Sequence, residues 1–157
     1  VYLTVDSTLM NEEMTPEVMI ECVPSRIFGT SITLSKDESY IRIIEDDPSF
    51  PKLAMLESKI KDIQLSDNPF IVEAIVLQSP NMTEVNTKAG ETVPVTDTLL
   101  GDDTGEIRLI GWRSQSSSVN QVNVGDRIKV IGATANNGRE GKVELTLKPH
   151  SSIVKVG

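Results

Sequence analysis

The chain has 157 residues, 38% of them hydrophobic, and a net charge of −8. That length suffices for one domain with a proper core, or for a small domain plus an appendage. No apolar run approaches the roughly 20 residues of a membrane-spanning helix, and no basic start followed by an apolar block marks a signal peptide. A single cysteine, Cys22, allows no internal disulfide and fits a reducing, cytosolic setting. One Cys and one distant His, His150, make no Cys/His zinc site.

The charge is uneven. Residues 1–57 hold 4 Lys and Arg against 11 Asp and Glu, a balance of −7, whereas residues 58–157 hold 11 against 12, a balance of −1. Overall acidity argues against a polyanionic ligand. The near-neutral second part still leaves room for a local basic face. The chain opens at Val1, as a piece of a longer protein would.

Taken in order, Val1 to Val5 reads as a short strand. Asn11 to Cys22 reads as a helix, because Met14, Val18, Met19 and Cys22 fall near one apolar stripe. Thr15-Pro16 suits its start, Glu17 its first turn, and Pro24 stops it. Ile27 to Leu34 and Tyr40 to Ile44 read as two strands of a hairpin joined by residues 35–39. Residues 45–51 form an acidic, Pro-punctuated boundary, and residues 52–57 a short helical turn.

From Ser58 the spacing becomes that of regular strands. Residues 59–64 lead in. Phe70 to Ser79 is a strand with Phe70, Val72, Ala74 and Val76 on one face, ended by Pro80. Residues 81–91 form a polar loop with Lys88. Thr92 to Leu100 and Glu106 to Trp112 form a hairpin around Gly101-Asp-Asp-Thr-Gly105, whose short polar residues and glycines are turn chemistry. Residues 113–124 are a short helix or a plain connection. Arg127 to Ala135 and Lys142 to Lys148 are strands joined by a loop at residues 136–141. Five strands, with the helix candidate between the third and fourth, are the order of a five-stranded Greek-key barrel, the OB-fold. The expected architecture is therefore mostly β: an OB barrel over residues 58–157, preceded by a small acidic α+β segment over residues 1–57.

Side chains alternate along Glu106 to Trp112. Ile107, Leu109 and Gly111 point one way and Arg108, Ile110 and Trp112 the other. The second face carries a cation and an indole on one line, as a stacking, phosphate-holding surface for single strands requires. For Trp112 the competing role is closing the barrel. For Arg108 it is pairing across strands with Asp97 or Glu106. Arg113 follows Trp112 at the edge of the same face. Lys88 sits in the loop between the first two strands, and Arg139 and Lys142 in or beside the loop between the last two; these loops flank the ligand in OB barrels. Asp102 and Asp103 read as turn carboxylates, not a metal or catalytic pair. The serines at 114 and 116–118 lack the flanking glycines of a nucleophile elbow, and no Gly-rich phosphate loop occurs. An enzyme is not expected, and neither a cofactor nor a metal.

From Lys59 to about Val156 the chain resembles the single-stranded-DNA-binding OB domain of archaeal replication protein A. The residues that carry the resemblance are Lys59-Ile-Lys-Asp-Ile63, Val76-Leu-Gln-Ser79 and Leu99-Leu-Gly-Asp-Asp-Thr-Gly-Glu-Ile-Arg-Leu-Ile-Gly-Trp112. Val124-Gly-Asp-Arg-Ile-Lys-Val130 and Gly141-Lys-Val-Glu-Leu-Thr-Leu147 follow. The resemblance implies binding of single-stranded DNA in replication, repair or recombination, without catalysis, in the cytoplasm at the nucleoid. Some members of that family carry a zinc finger, whose ligands this chain lacks. Val1 to Asp6 would suit the tail of a preceding OB domain. The alternatives are an RNA-binding OB module and an OB domain for protein–protein assembly. The acidic first third is expected either to contact replication or repair partners or to cover the basic groove.

Overall fold

A computed structural model describes residues 1–15 and 18–157, Tyr2 by its backbone alone. The chain divides into two compact units, Val1–Met55 and Leu56–Gly157.

Among its described residues the first unit has five short strands: β1 (Tyr2–Val5), β2 (Ile20–Val23), β3 (Arg26–Phe28), β4 (Ser31–Leu34) and β5 (Tyr40–Ile43). β4 lies parallel to β1 and antiparallel to β3. β5 lies antiparallel to β2. Three sequence expectations are corrected here. The helix over Asn11 to Cys22 is absent from the described residues; its proposed start at Pro16 and Glu17 lies outside them. Its end is instead strand β2, where half-buried Ile20 and Cys22 alternate with exposed Glu21 and Val23. The period is two, and the β-branched Ile20 and Val23 favour it. Ile27 to Leu34 is not one strand, because the chain reverses at Gly29-Thr30 to pair β3 with β4. Tyr40 to Ile43 then pairs with β2 rather than with its neighbour in sequence. Among the described residues of this unit only Leu34 is fully buried among the hydrophobics.

The second unit holds β6 (Ser66–Val76), β7 (Asn81–Asn86), β8 (Thr92–Gly101), β9 (Glu106–Trp112), helix α1 (Ser114–Asn120), β10 (Arg127–Asn137), β11 (Val143–Thr146) and β12 (Ser152–Lys155). Their order in the sheet is β11-β9-β8-β6-β10-β12, and β10 also pairs with β11, which closes the barrel. The closing β9–β11 pair is parallel. This is the connectivity of the OB-fold, with α1 between the third and fourth barrel strands as expected. Two elements differ from the sequence reading. Residues 81–86 are a strand, not a loop: β7 folds back along β8 as an exposed hairpin arm. β12 extends the sheet beside β10.

The core follows from alternation. Val72, Ala74 and Val76 of β6, Ile107 and Leu109 of β9, Ile128 and Val130 of β10 and Leu145 of β11 are buried together with Val119 of α1. Strand β10 pairs with β6 along one edge and along the other serves two partners, β12 with its first half and β11 with its second. Its pairing with β6 shifts register between Ile131 and Ala133, where Gly132 sits at φ +85°. A residue with a side chain rarely adopts that conformation, so glycine allows the bend. Gly111 has a different task. A Cβ there would stand 2.3 Å from the Gln115 carbonyl oxygen, so its bare Cα lets α1 lie against β9.

Candidate nucleic-acid interface

The turn between β8 and β9 is tied down by Asp102. Its Oδ1 accepts from the Thr104 and Gly105 N–H groups at 2.7 and 3.0 Å and from the Thr104 hydroxyl at 2.6 Å. Its Oδ2 accepts from the N–H of Ile60, in the lead-in 3₁₀ turn, at 2.9 Å. Partial burial pushes its pKa up, but the bonds from Thr104, Ile60 and Gly105 outweigh that and hold it below the usual carboxylate value. Asp103 pairs with Lys59 at 2.6 Å, and this contact lowers its pKa. Both aspartates are therefore committed to structure, as the turn reading expects. No group of His, Cys, Asp or Glu suited to a metal occurs among the described residues.

With the turn fixed, β9 presents the expected alternation. Ile107, Leu109 and Gly111 are buried, Arg108 is partly open, and Trp112 is 43% exposed. Ile110 departs from the pattern. It shares the outer side with Arg108 and Trp112 yet is buried, apart from the barrel core.

Arg108, Arg139 and Lys142 line one groove of about 620 Å³. It runs between Leu99 of β8, Arg108 of β9, Glu144 of β11 and the residues joining β10 to β11, with Ile60 and Ile63 below. Its charges are mixed: three cations stand with Asp97, Glu106, Glu140 and Glu144. Arg108 is doubly paired. Its Nε donates to Asp97 Oδ2 at 2.9 Å and its Nη1 to Glu144 Oε2 at 3.3 Å. The hydrogen bond it donates to Asp97 raises the guanidinium pKa further, so it stays charged throughout. Of the two cross-strand partners weighed for Arg108, Asp97 is engaged and Glu106 is not among its ion pairs. Arg139 and Lys142 are exposed, with no ion pair among the described residues.

Trp112, Arg113 and Lys88 lie outside that groove's lining. The Arg113 guanidinium donates to Glu91 Oε2 at 2.8 Å, which joins the end of β9 to the turn of the β7–β8 hairpin. That turn carries exposed Lys88. Arg113 has φ +55°, a strained value for a non-glycine residue, where β9 gives way to α1. The six candidates thus form two groups: Arg108, Arg139 and Lys142 in the groove, and Trp112, Arg113 and Lys88 toward the hairpin arm. Glu144 escaped the sequence reading because its contact depends on the parallel β9–β11 pairing, which sets it opposite Arg108. No local pattern signals a parallel partner 36 residues away.

The strand order and closure of the second unit are those of an OB-fold. No protein-family model matches the sequence, and no curated protein sequence matches it. Solved structures do match. The second OB-fold domain of replication protein A from Methanococcus maripaludis is 23% identical, with a TM-score of 0.52 over 64% of this chain and 94% of that one. A replication protein A heterotrimer bound to single-stranded DNA matches at 15% identity and TM-score 0.55, over 63% of this chain and 24% of that one. The p204 HINb domain matches at 16% identity and TM-score 0.61, over 98% of this chain and 78% of that one. At these identities the likeness establishes the fold.

Proposed function

We propose that the second unit binds single-stranded DNA with little sequence preference, in replication, repair or recombination. One observation carries this reading: a half-exposed Trp112 stands beside exposed Arg113 on an OB barrel whose adjoining groove holds Arg108, Arg139 and Lys142. An indole accepts a base on its face, and spaced cations take the phosphates. The similarity to a replication protein A complex with single-stranded DNA supports the same reading. Trp112 is the sole tryptophan, so its fluorescence reports directly. Titration with oligo-dT should quench it, less so as salt rises, because phosphate contacts release counterions. Duplex DNA should quench less. An equal response to oligo-rU would favour an RNA module, since stacking and cation contacts do not separate the two sugars. No quenching and no mobility shift with any of them would defeat the proposal.

A second reading has its own support. The four carboxylates in the groove outnumber its three cations, which suits a partner protein's mixed or basic segment. A groove that captures such a segment but no oligonucleotide would put this reading first.

For the first unit we propose the distal half of a second OB barrel. The strand pairings support it. β4 joins β1 in parallel and β3 antiparallel, as β11 joins β9 and β10, and β5 pairs with β2 as β12 pairs with the first half of β10. Counterparts of β6 and β8 are absent from its described residues. Amides on the β1 and β2 edges that these counterparts would cover should exchange rapidly in residues 1–157; protection matching that of β9 and β10 would refute the assignment. The acidic side chains of this unit are proposed as a contact for other replication or repair proteins. Charge reversal at Asp46 and Asp47 that leaves both partner and DNA binding unchanged would remove that role from this segment.

A further inference from the structure

We infer that Asp97 and Glu144 compete with nucleic-acid phosphate for Arg108, so that two carboxylates built into the barrel limit how strongly the groove grips a backbone. The inference rests on the single-strand reading of the same groove.

A guanidinium grips a phosphate best with two parallel N–H groups. Arg108 has two such forks, Nε with Nη2 and Nη1 with Nη2. Asp97 already takes the Nε–H and Glu144 already engages Nη1, so one nitrogen of each fork has a carboxylate beside it. The carboxylates cannot easily swing aside, because each projects from a strand paired with β9. Glu144 stands in register with Arg108 on β11. Asp97 lies two residues from Leu99, the register partner of Arg108 on β8. The three side chains are only 27%, 23% and 15% exposed, so solvent and salt screen them less than a surface pair. The cluster carries one net negative charge. A phosphate that is to take both N–H groups of a fork must displace a carboxylate and then remain beside it. Arg139 and Lys142, exposed and unpaired among the described residues, are left as the groove's available phosphate contacts.

The test is a mutant cycle read by Trp112 quenching with oligo-dT across a salt series. Asp97→Asn and Glu144→Gln keep the side-chain shape and an acceptor oxygen while removing the charge. Each should tighten binding, and together by about five- to tenfold at low salt. The salt slope should steepen by about 0.7, the value for one further phosphate on a single strand. Adding Arg108→Ala to the double variant should abolish the gain. Glu106→Gln, a groove carboxylate outside the Arg108 ion pairs, should give no gain that depends on Arg108. Thermal melts establish that each variant is folded, and the single variants carry the test if the double one is not. Wild-type binding with unresponsive variants, or a gain that persists without Arg108, overturns the inference alone. Binding by the double variant but not the wild type supports it. Absence of binding in every protein overturns both this inference and the single-strand reading.

Discussion

Asp102 offers the sharpest test of how the β8–β9 hairpin is held. Replacing it with Ala removes the acceptor of three backbone N–H groups and one hydroxyl, at 2.6 to 3.0 Å. A hydrogen bond to a charged group contributes about 1.5–3 kcal/mol, but donors that reach water after the change recover much of it. Thr104 and Gly105 lie in a half-open turn and recover most. The bond to Ile60, which joins the lead-in segment to the hairpin, has no local substitute. Asp102→Ala should therefore cost about 2–4 kcal/mol, and Asp102→Asn, which keeps one acceptor, about half as much. For a unit near 100 residues this is roughly 10–20 °C in Tm for the alanine variant. Urea denaturation followed by Trp112 fluorescence measures it. The pH dependence has a definite sign. The folded pKa lies below the ordinary 3.8, so the stabilisation is complete above that value and is lost as pH falls through the lowered folded pKa. The gap between wild type and Asp102→Asn should stay constant near neutrality and close only in strong acid. A loss under about 0.5 kcal/mol, the scale of an ordinary surface change, would refute the account.

Three other substitutions probe the end of β9 and its junction with α1. Gly111→Ala should destabilise the unit by about 3 kcal/mol or more in thermal melts, because the new methyl meets backbone of α1 rather than a mobile side chain. Trp112→Ala should weaken oligo-dT binding by about 1–3 kcal/mol in anisotropy titrations, the value of one stacked base. Arg113→Gly should relieve the strain at φ +55° and raise stability by roughly 1 kcal/mol in urea titrations, while oligo-dT binding weakens. A stability loss at Arg113→Gly would mean that its pair with Glu91 outweighs the backbone strain, contrary to the small value of exposed ion pairs.

The barrel was legible in the amino-acid order because its evidence is local. Alternation in β6, β9 and β10, the turn residues at 101–105 and the position of the single helix are all read within a few residues of one another. The same locality exposes Trp112 and assigns Asp102 and Asp103 to a turn. Locality misled in the first unit. There a short apolar set from Met14 to Cys22 satisfied a helical stripe, whereas its last residues pair with Tyr40–Ile43 across the intervening β3–β4 hairpin. Residues 81–86 read as part of a polar loop because polar residues dominate residues 81–91, and only the pairing with β8 makes them a strand. The chemistry of the groove is decided in the same way. Arg108 is identifiable as an outward cation from β9 alone, but whether it is open to a phosphate depends on Glu144, which arrives through a parallel strand pair that closes the barrel. Side-chain direction follows from a period of two along one strand. The partner a side chain meets follows from closure, and closure joins residues that no short-range pattern connects.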